Sequence, residues 1–109
     1  MSPRPPRSSP PSGVWDGLTG LDDLLQHRAR LSAVVLVSRH GPLSFSRLKE
    51  LLDETDGSLG AHLRKLEDAG YLTVRKEFRD RRPVTWYRLT PKGRQALVAH
   101  LEALGRLIP

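Results

Sequence analysis

Between Tyr71 and Arg94 the chain carries eight cations (Arg75, Lys76, Arg79, Arg81, Arg82, Arg88, Lys92 and Arg94) against two acids, Glu77 and Asp80. That local excess equals the formal +6 of all 109 residues, so the remainder balances to zero. Cations gathered in one stretch displace counterions from a polyanion and bind its phosphates, which evenly scattered charge does poorly. The plainer alternative is a hairpin kept soluble by its charge. Just upstream, Leu59, Leu63 and Leu66 share one helical face. Turning them inward leaves Ser58, Ala61, Arg64, Lys65 and Asp68 on the opposite side, with His62 on the flank. Small residues in the first turns, Ser58, Gly60 and Ala61, let a helix approach base edges, while Arg64 and Lys65 reach bases or phosphates. An ordinary solvated amphipathic helix has the same pattern; the basic stretch that follows tips the balance toward nucleic acid.

Other chemistry finds little support. Ser58 stands in Asp56-Gly57-Ser58-Leu59-Gly60, which lacks the first glycine of a G-x-S-x-G nucleophile elbow and follows a helix and turn, not a strand. No phosphate-binding glycine loop and no H-E-x-x-H motif is present. His27, His40, His62 and His100 have no metal-ligand spacing, and His100 and Glu102, two apart, splay on a helix. The absence of cysteine excludes disulfides, thiolate metal sites and thiol nucleophiles. The expectation is a protein that is not an enzyme and holds no metal or cofactor.

The elements that must position these groups follow from periodicity. Residues 1–13, with prolines at 3, 5, 6, 10 and 11 and Arg4 and Arg7 between them, read as a disordered solubilising tail ahead of one domain over 14–109. No signal-peptide core and no membrane-length apolar run occurs, so the expected location is cytoplasmic, with no membrane partner. Leu18, Leu21, Leu24 and Leu25 have helical spacing. Leu31 and Val34 to Val37 predict a second helix despite their β-branched run, because Leu31, Val34 and Val35 share a face and Gly41-Pro42 is a stop signal. Leu43-Ser44-Phe45 allows a single β-bridge, and Ser44 caps a helix bearing Phe45, Leu48, Leu51 and Leu52. A polar turn over 53–57 and a helix ending at Gly70 complete a helix-turn-helix pattern. Residues 71–78 and 84–89 predict strands joined by a basic linker, 79–83, with Arg81 and Arg82 at its tip. Thr90-Pro91 starts a last helix with the apolar seam Leu97, Leu101, Leu104 and Ile108.

Residues 41–97, with a polar turn, LGAHLRKLEDAGYL, a basic hairpin and LTPKGRQAL, resemble the small winged-helix regulators of the MarR and ArsR groups. The resemblance extends more weakly back to Leu21, and Gly60 stands where the group often carries serine. It implies an α+β, mainly α fold: a winged helix-turn-helix with a short three-stranded antiparallel sheet and a C-terminal dimerisation helix. It also implies a recognition helix presenting Ser58, Ala61, His62, Arg64 and Lys65, and a DNA-binding wing presenting Arg75, Lys76, Arg79, Arg81 and Arg82. Dimerisation through the terminal helices would use Leu21, Leu24, Leu97, Leu101, Leu104 and Ile108. The expected function is a homodimeric, sequence-specific regulator of transcription, a repressor on a pseudo-palindromic operator. Release by a small-molecule effector is part of that expectation, with Trp15 and Trp86 as candidate lining of an apolar pocket near the dimer interface. The competing reading is a protein–protein module whose basic face docks on an acidic partner.

Overall fold

The computed structural model describes residues 17–108, so the proline-rich tail over 1–13 and Trp15 lie outside the described residues. Residues 17–19 are helical, and the chain then turns into a short 3-10 segment, Leu24–Gln26. A continuous helix through Leu25 is therefore not what forms. One Asp22 carboxylate oxygen accepts from the Leu24 and Leu25 amides at 2.8 and 3.3 Å, offering the backbone a local partner in place of helical carbonyls.

Helix α1 spans Arg28–His40, capped by His27 Nδ1 accepting from the Ala29 amide and closed by Gly41 at φ 77°. Its valines stay helical because Ala33, Val34 and Val37 fall on one face and are 0 to 2% exposed, so burial outweighs strand propensity. Strand β1, Leu43–Ser44, leads into helix α2, Phe45–Leu52, whose N-cap Ser44 accepts from the Arg47 amide at 3.1 Å. Helix α3, Asp56–Asp68, begins earlier than the polar run implied, because Thr55 accepts from the Ser58 amide and admits Asp56 and Gly57 to the first turn. At its far end Gly70 adopts φ 82°, and the Tyr71 amide donates back to Leu66, reversing the chain into the sheet.

Strands β2, Leu72–Arg79, and β3, Arg82–Leu89, pair along their whole length, and β1 adds to the other side of β3, giving the order β1-β3-β2, all antiparallel. Helix α4, Pro91–Gly105, starts at Thr90, whose hydroxyl accepts from the Gly93 amide and donates to the Gly70 carbonyl. Leu25, Leu48, Leu59, Leu63, Leu66, Leu72 and Leu97 form the core with α1 and Tyr87. Fully burying each leucine stabilises the fold by about 1.5–3 kcal/mol, so this cluster is what holds the helices against the sheet. One polar joint crosses it: the Asp22 amide donates to Nδ1 of buried His100 at 2.9 Å, and the Tyr71 hydroxyl donates to the Asp22 carboxylate. Burial first, and then that bond, push the Tyr71 phenol up to about 12.

Candidate nucleic-acid interface

Helix α3 buries Leu59, Leu63 and Leu66 completely and turns Ala61, Arg64 and Lys65 to solvent. Three of the five predicted contact residues are thus exposed, Ala61, Arg64 and Lys65, while Ser58 and His62 are half-buried. The Ser58 hydroxyl donates to Glu54 at 2.9 Å. Lys49 of α2 pairs with Asp56 at 2.9 Å, an exposed link that adds little stability. Gly60 has open space where a side chain would stand, so nothing among the described residues requires a glycine there.

His62 is held from outside its own helix. Arg30 of α1 donates from Nη1 to His62 Nδ1 at 3.1 Å while its Nε donates to the Leu24 carbonyl at 2.7 Å, and the His27 ring lies 4.2 Å from the His62 ring. A guanidinium has only donors, so the imidazole must accept and therefore be neutral. No sequence spacing announces this cluster, since residues 27, 30 and 62 meet only through packing. Burial, then the charges of His27 and Arg30, lower the His62 pKa from its ordinary 6.5. With the folded value below the unfolded one, this arrangement stabilises fully above the unfolded pKa of about 6.5, and its contribution disappears as pH falls through the folded value. The melting temperature is expected to drop between about pH 7.5 and pH 5, and to drop less in His62→Gln, which keeps an acceptor but does not titrate there. An equal drop in both proteins would remove His62 from the cause.

The wing is a tight hairpin. Asp80 and Arg81 form its two-residue turn with φ of 54° and 65°, the paired positive values of a type I′ turn. Only Arg81 therefore occupies the tip, and Arg82 and Pro83 belong to β3. The register then divides the predicted wing residues. Arg75, Arg79 and Arg82 lie on the outer face of the sheet, while Lys76 lies on the face that, nearer the body, packs against the helices. Arg88, counted in the basic stretch but not among the predicted wing contacts, joins the outer set, as its even spacing from Arg82 requires once the turn is known. Trp86 is also on this outer face, away from the helices and from any apolar pocket at the terminal helices.

Of the predicted dimer residues, Leu97 is buried in the chain's own core at 6% exposure, so it is not available to a partner. Leu21 and Leu24 are half-buried, and Leu101, Leu104 and Ile108 are exposed together with Leu18 and Val98. The two terminal segments meet: a methyl at Gly17 would lie 2.6 Å from the Ala103 carbonyl oxygen. Among the described residues no group of three or more His, Cys, Asp or Glu is placed to hold a metal, and no helix is long and apolar enough to cross a membrane.

A family model for the winged helix DNA-binding domain matches residues 29–108. An uncharacterized protein of Methanocaldococcus jannaschii is 44% identical over 52 residues, a stretch covering 48% of this chain and 56% of that protein. The chain thus matches little more than half the length of this curated relative. Among solved structures, a transcriptional regulator homologue from Pyrococcus horikoshii OT3 superposes with a TM-score of 0.78 at 26% identity, covering 90% of this chain and 95% of that one. Reduced AbfR bound to DNA superposes with a TM-score of 0.70 at 20% identity, covering 88% and 69%, a likeness of fold.

Proposed function

Because the chain belongs to the winged helix DNA-binding domain family, we propose that it regulates transcription as a homodimer on double-stranded DNA. The observation that carries this reading is the exposed face of α3, where Ala61, Arg64 and Lys65 stand free of the core beside a hairpin tipped by Arg81. Each α3 enters a major groove, Arg64 and Lys65 reading bases, and each wing holds flanking phosphates. The apolar patch of Leu18, Val98, Leu101, Leu104 and Ile108 meets the same patch of a second copy, and that two-fold symmetry calls for a pseudo-palindromic operator. The AbfR structure supports DNA as the partner by fold alone, since that protein is bound to DNA.

The test is a fluorescence-anisotropy titration of a random-sequence duplex pool across a salt series, with Arg81→Ala/Arg82→Ala alongside. Binding should weaken steeply with salt, and the variant should lower the slope of log affinity against log salt by about 1.8, or about 0.9 for each phosphate no longer neutralised. Duplexes selected from the pool should carry an inverted repeat and bind two chains each. No binding at low salt would overturn the DNA reading and favour an acidic protein partner.

A further inference from the structure

The outer face of the wing sheet is charged beyond anything the fold itself requires. By register Thr73, Arg75, Glu77 and Arg79 of β2 stand beside Arg88, Trp86, Val84 and Arg82 of β3. All four arginines are exposed, and Glu77 is the only acid among them, pairing with Arg75 at a loose 3.9 Å. Arg79 and Arg82 are directly opposite one another, an arrangement that destabilises a strand pair through like-charge repulsion. The other face of the same hairpin carries a single cation, Lys76. Between the arginines lies a depression of about 340 Å³, lined by Pro42, Thr73, Arg75, Glu77, Trp86 and Arg88. The Arg79 guanidinium sits 5.6 Å from the centre of the Trp86 ring, and the buried indole N–H has no partner among the described residues. A face with surplus positive charge and repulsion between neighbouring arginines is complementary to an anion.

Resting on the DNA reading above, we propose that this outer face is a second phosphate track, holding duplex that flanks the operator and bends around the wing. The occupant follows from two observations. The track is continuous with the hairpin tip: it begins at Arg79 and Arg82, next to Arg81 in the turn, and runs back through Arg75 to Arg88. DNA held at the tip therefore reaches the track without a second partner. In addition, none of the exposed large hydrophobic side chains (Leu18, Leu51, Phe78, Val98, Leu101, Leu104 and Ile108) lies on this face. A protein partner would look for an apolar centre, whereas a phosphate backbone needs none. The strand from Arg82 to Arg88 extends roughly 20 Å, at about 3.3 Å per residue, the length of about six base pairs at 3.4 Å per pair. Because the helices pack on the opposite face of the sheet, DNA must curve toward the wing to touch both α3 and the track. Bending costs on the order of 1–6 kcal/mol and is offset by the contacts it permits.

The experiment compares a selected operator duplex trimmed to its inverted repeat with the same duplex carrying about ten extra base pairs at each end, binding the full chain and Arg75→Ala/Arg88→Ala. The parent should bind the extended duplex more tightly than the trimmed one. The variant should lose the gain that the flanks give the parent, its salt slope on the extended duplex falling by about 1.8. Between 50 and 200 mM salt that change corresponds to an affinity loss about tenfold smaller than the parent's. Energy transfer between the ends of the extended duplex should rise on binding the parent and not the variant, and Arg75→Lys/Arg88→Lys should recover both effects. Parental binding to the trimmed duplex with no gain from the flanks would overturn this track and leave the DNA reading standing. An unaltered slope in the alanine variant would do the same. Failure of the parent to bind either duplex would overturn both, and a matching unfolding curve for the alanine variant shows that its losses do not come from misfolding.

Discussion

Gly93→Ala is expected to lower the melting temperature by about 10 °C, from a net cost of about 2 kcal/mol at 4–8 °C per kcal/mol for a domain of this size. Gly93 is buried in the first turn of α4. A methyl there would stand 2.3 Å from the Tyr71 carbonyl oxygen, 2.7 Å from Leu89 Cδ1 and 3.0 Å from the Tyr71 carbonyl carbon. Two of those three atoms are backbone at the entry to β2, so a side-chain rotation cannot relieve the clash and the helix must move off the sheet. Overpacking of this kind costs about 1–3 kcal/mol or more, which outweighs the helix-propensity gain of up to about 1 kcal/mol that alanine brings. Gly60 is the control, since nothing lies within 4 Å of the methyl it would receive. Gly60→Ala should therefore raise stability by about 1 kcal/mol. Chemical denaturation of the three proteins measures both signs, and a Gly93→Ala protein as stable as the parent would show that α4 does not need the close approach.

Arg81→Gly should move stability and DNA binding in opposite directions. Arg81 holds φ at 65° in the second central position of the hairpin turn, a conformation that costs a residue with a side chain about 1 kcal/mol or more and glycine nothing. Asp80 at φ 54° precedes it, so the variant would contain the Asp-Gly pair that type I′ turns favour. The unfolding midpoint is expected to rise by the equivalent of about 1 kcal/mol. On the DNA reading, the same change removes the one cation at the tip, and the salt slope should fall by about 0.9. Affinity should weaken by roughly tenfold, the size of one charge-assisted hydrogen bond of about 1.5 kcal/mol. Arg81→Ala separates the two effects, removing the charge while keeping the strain. A glycine variant that melts higher and binds unchanged would remove Arg81 from the interface.

Much of this protein is legible in residue order because its local signals and its burial agree. Ser44 and Thr90 cap the helices they were expected to cap, Gly41 and Gly70 end the ones they were expected to end, and the leucines of α3 point inward as their spacing demands. Charge position was equally readable, since counting cations between Tyr71 and Arg94 needs no coordinates. Where local alternatives compete at nearly equal cost, spacing misled. Asp22 took the Leu24 and Leu25 amides and broke the first helix, and Thr55 drew Asp56 and Gly57 into α3.

Tertiary structure alone decided which contacts form between distant residues and which side of the sheet each arginine occupies. The Arg30–His62–His27 cluster and the Asp22–His100–Tyr71 joint unite residues 32 to 78 positions apart, for which no period exists to be read. Leu97 has the same spacing as Leu101 and Leu104 yet lies in the core, because α4 presses only part of its apolar seam against α1. The division of the wing into an arginine face and a lysine face follows from a single fact, that the turn takes two residues, 80 and 81. In a strand, side chains alternate with a period of two, so a turn one residue longer would carry every cation of β3 to the other face. Composition determined which stretch of the chain gathers the positive charge; the register of one hairpin determined which face of the sheet carries it.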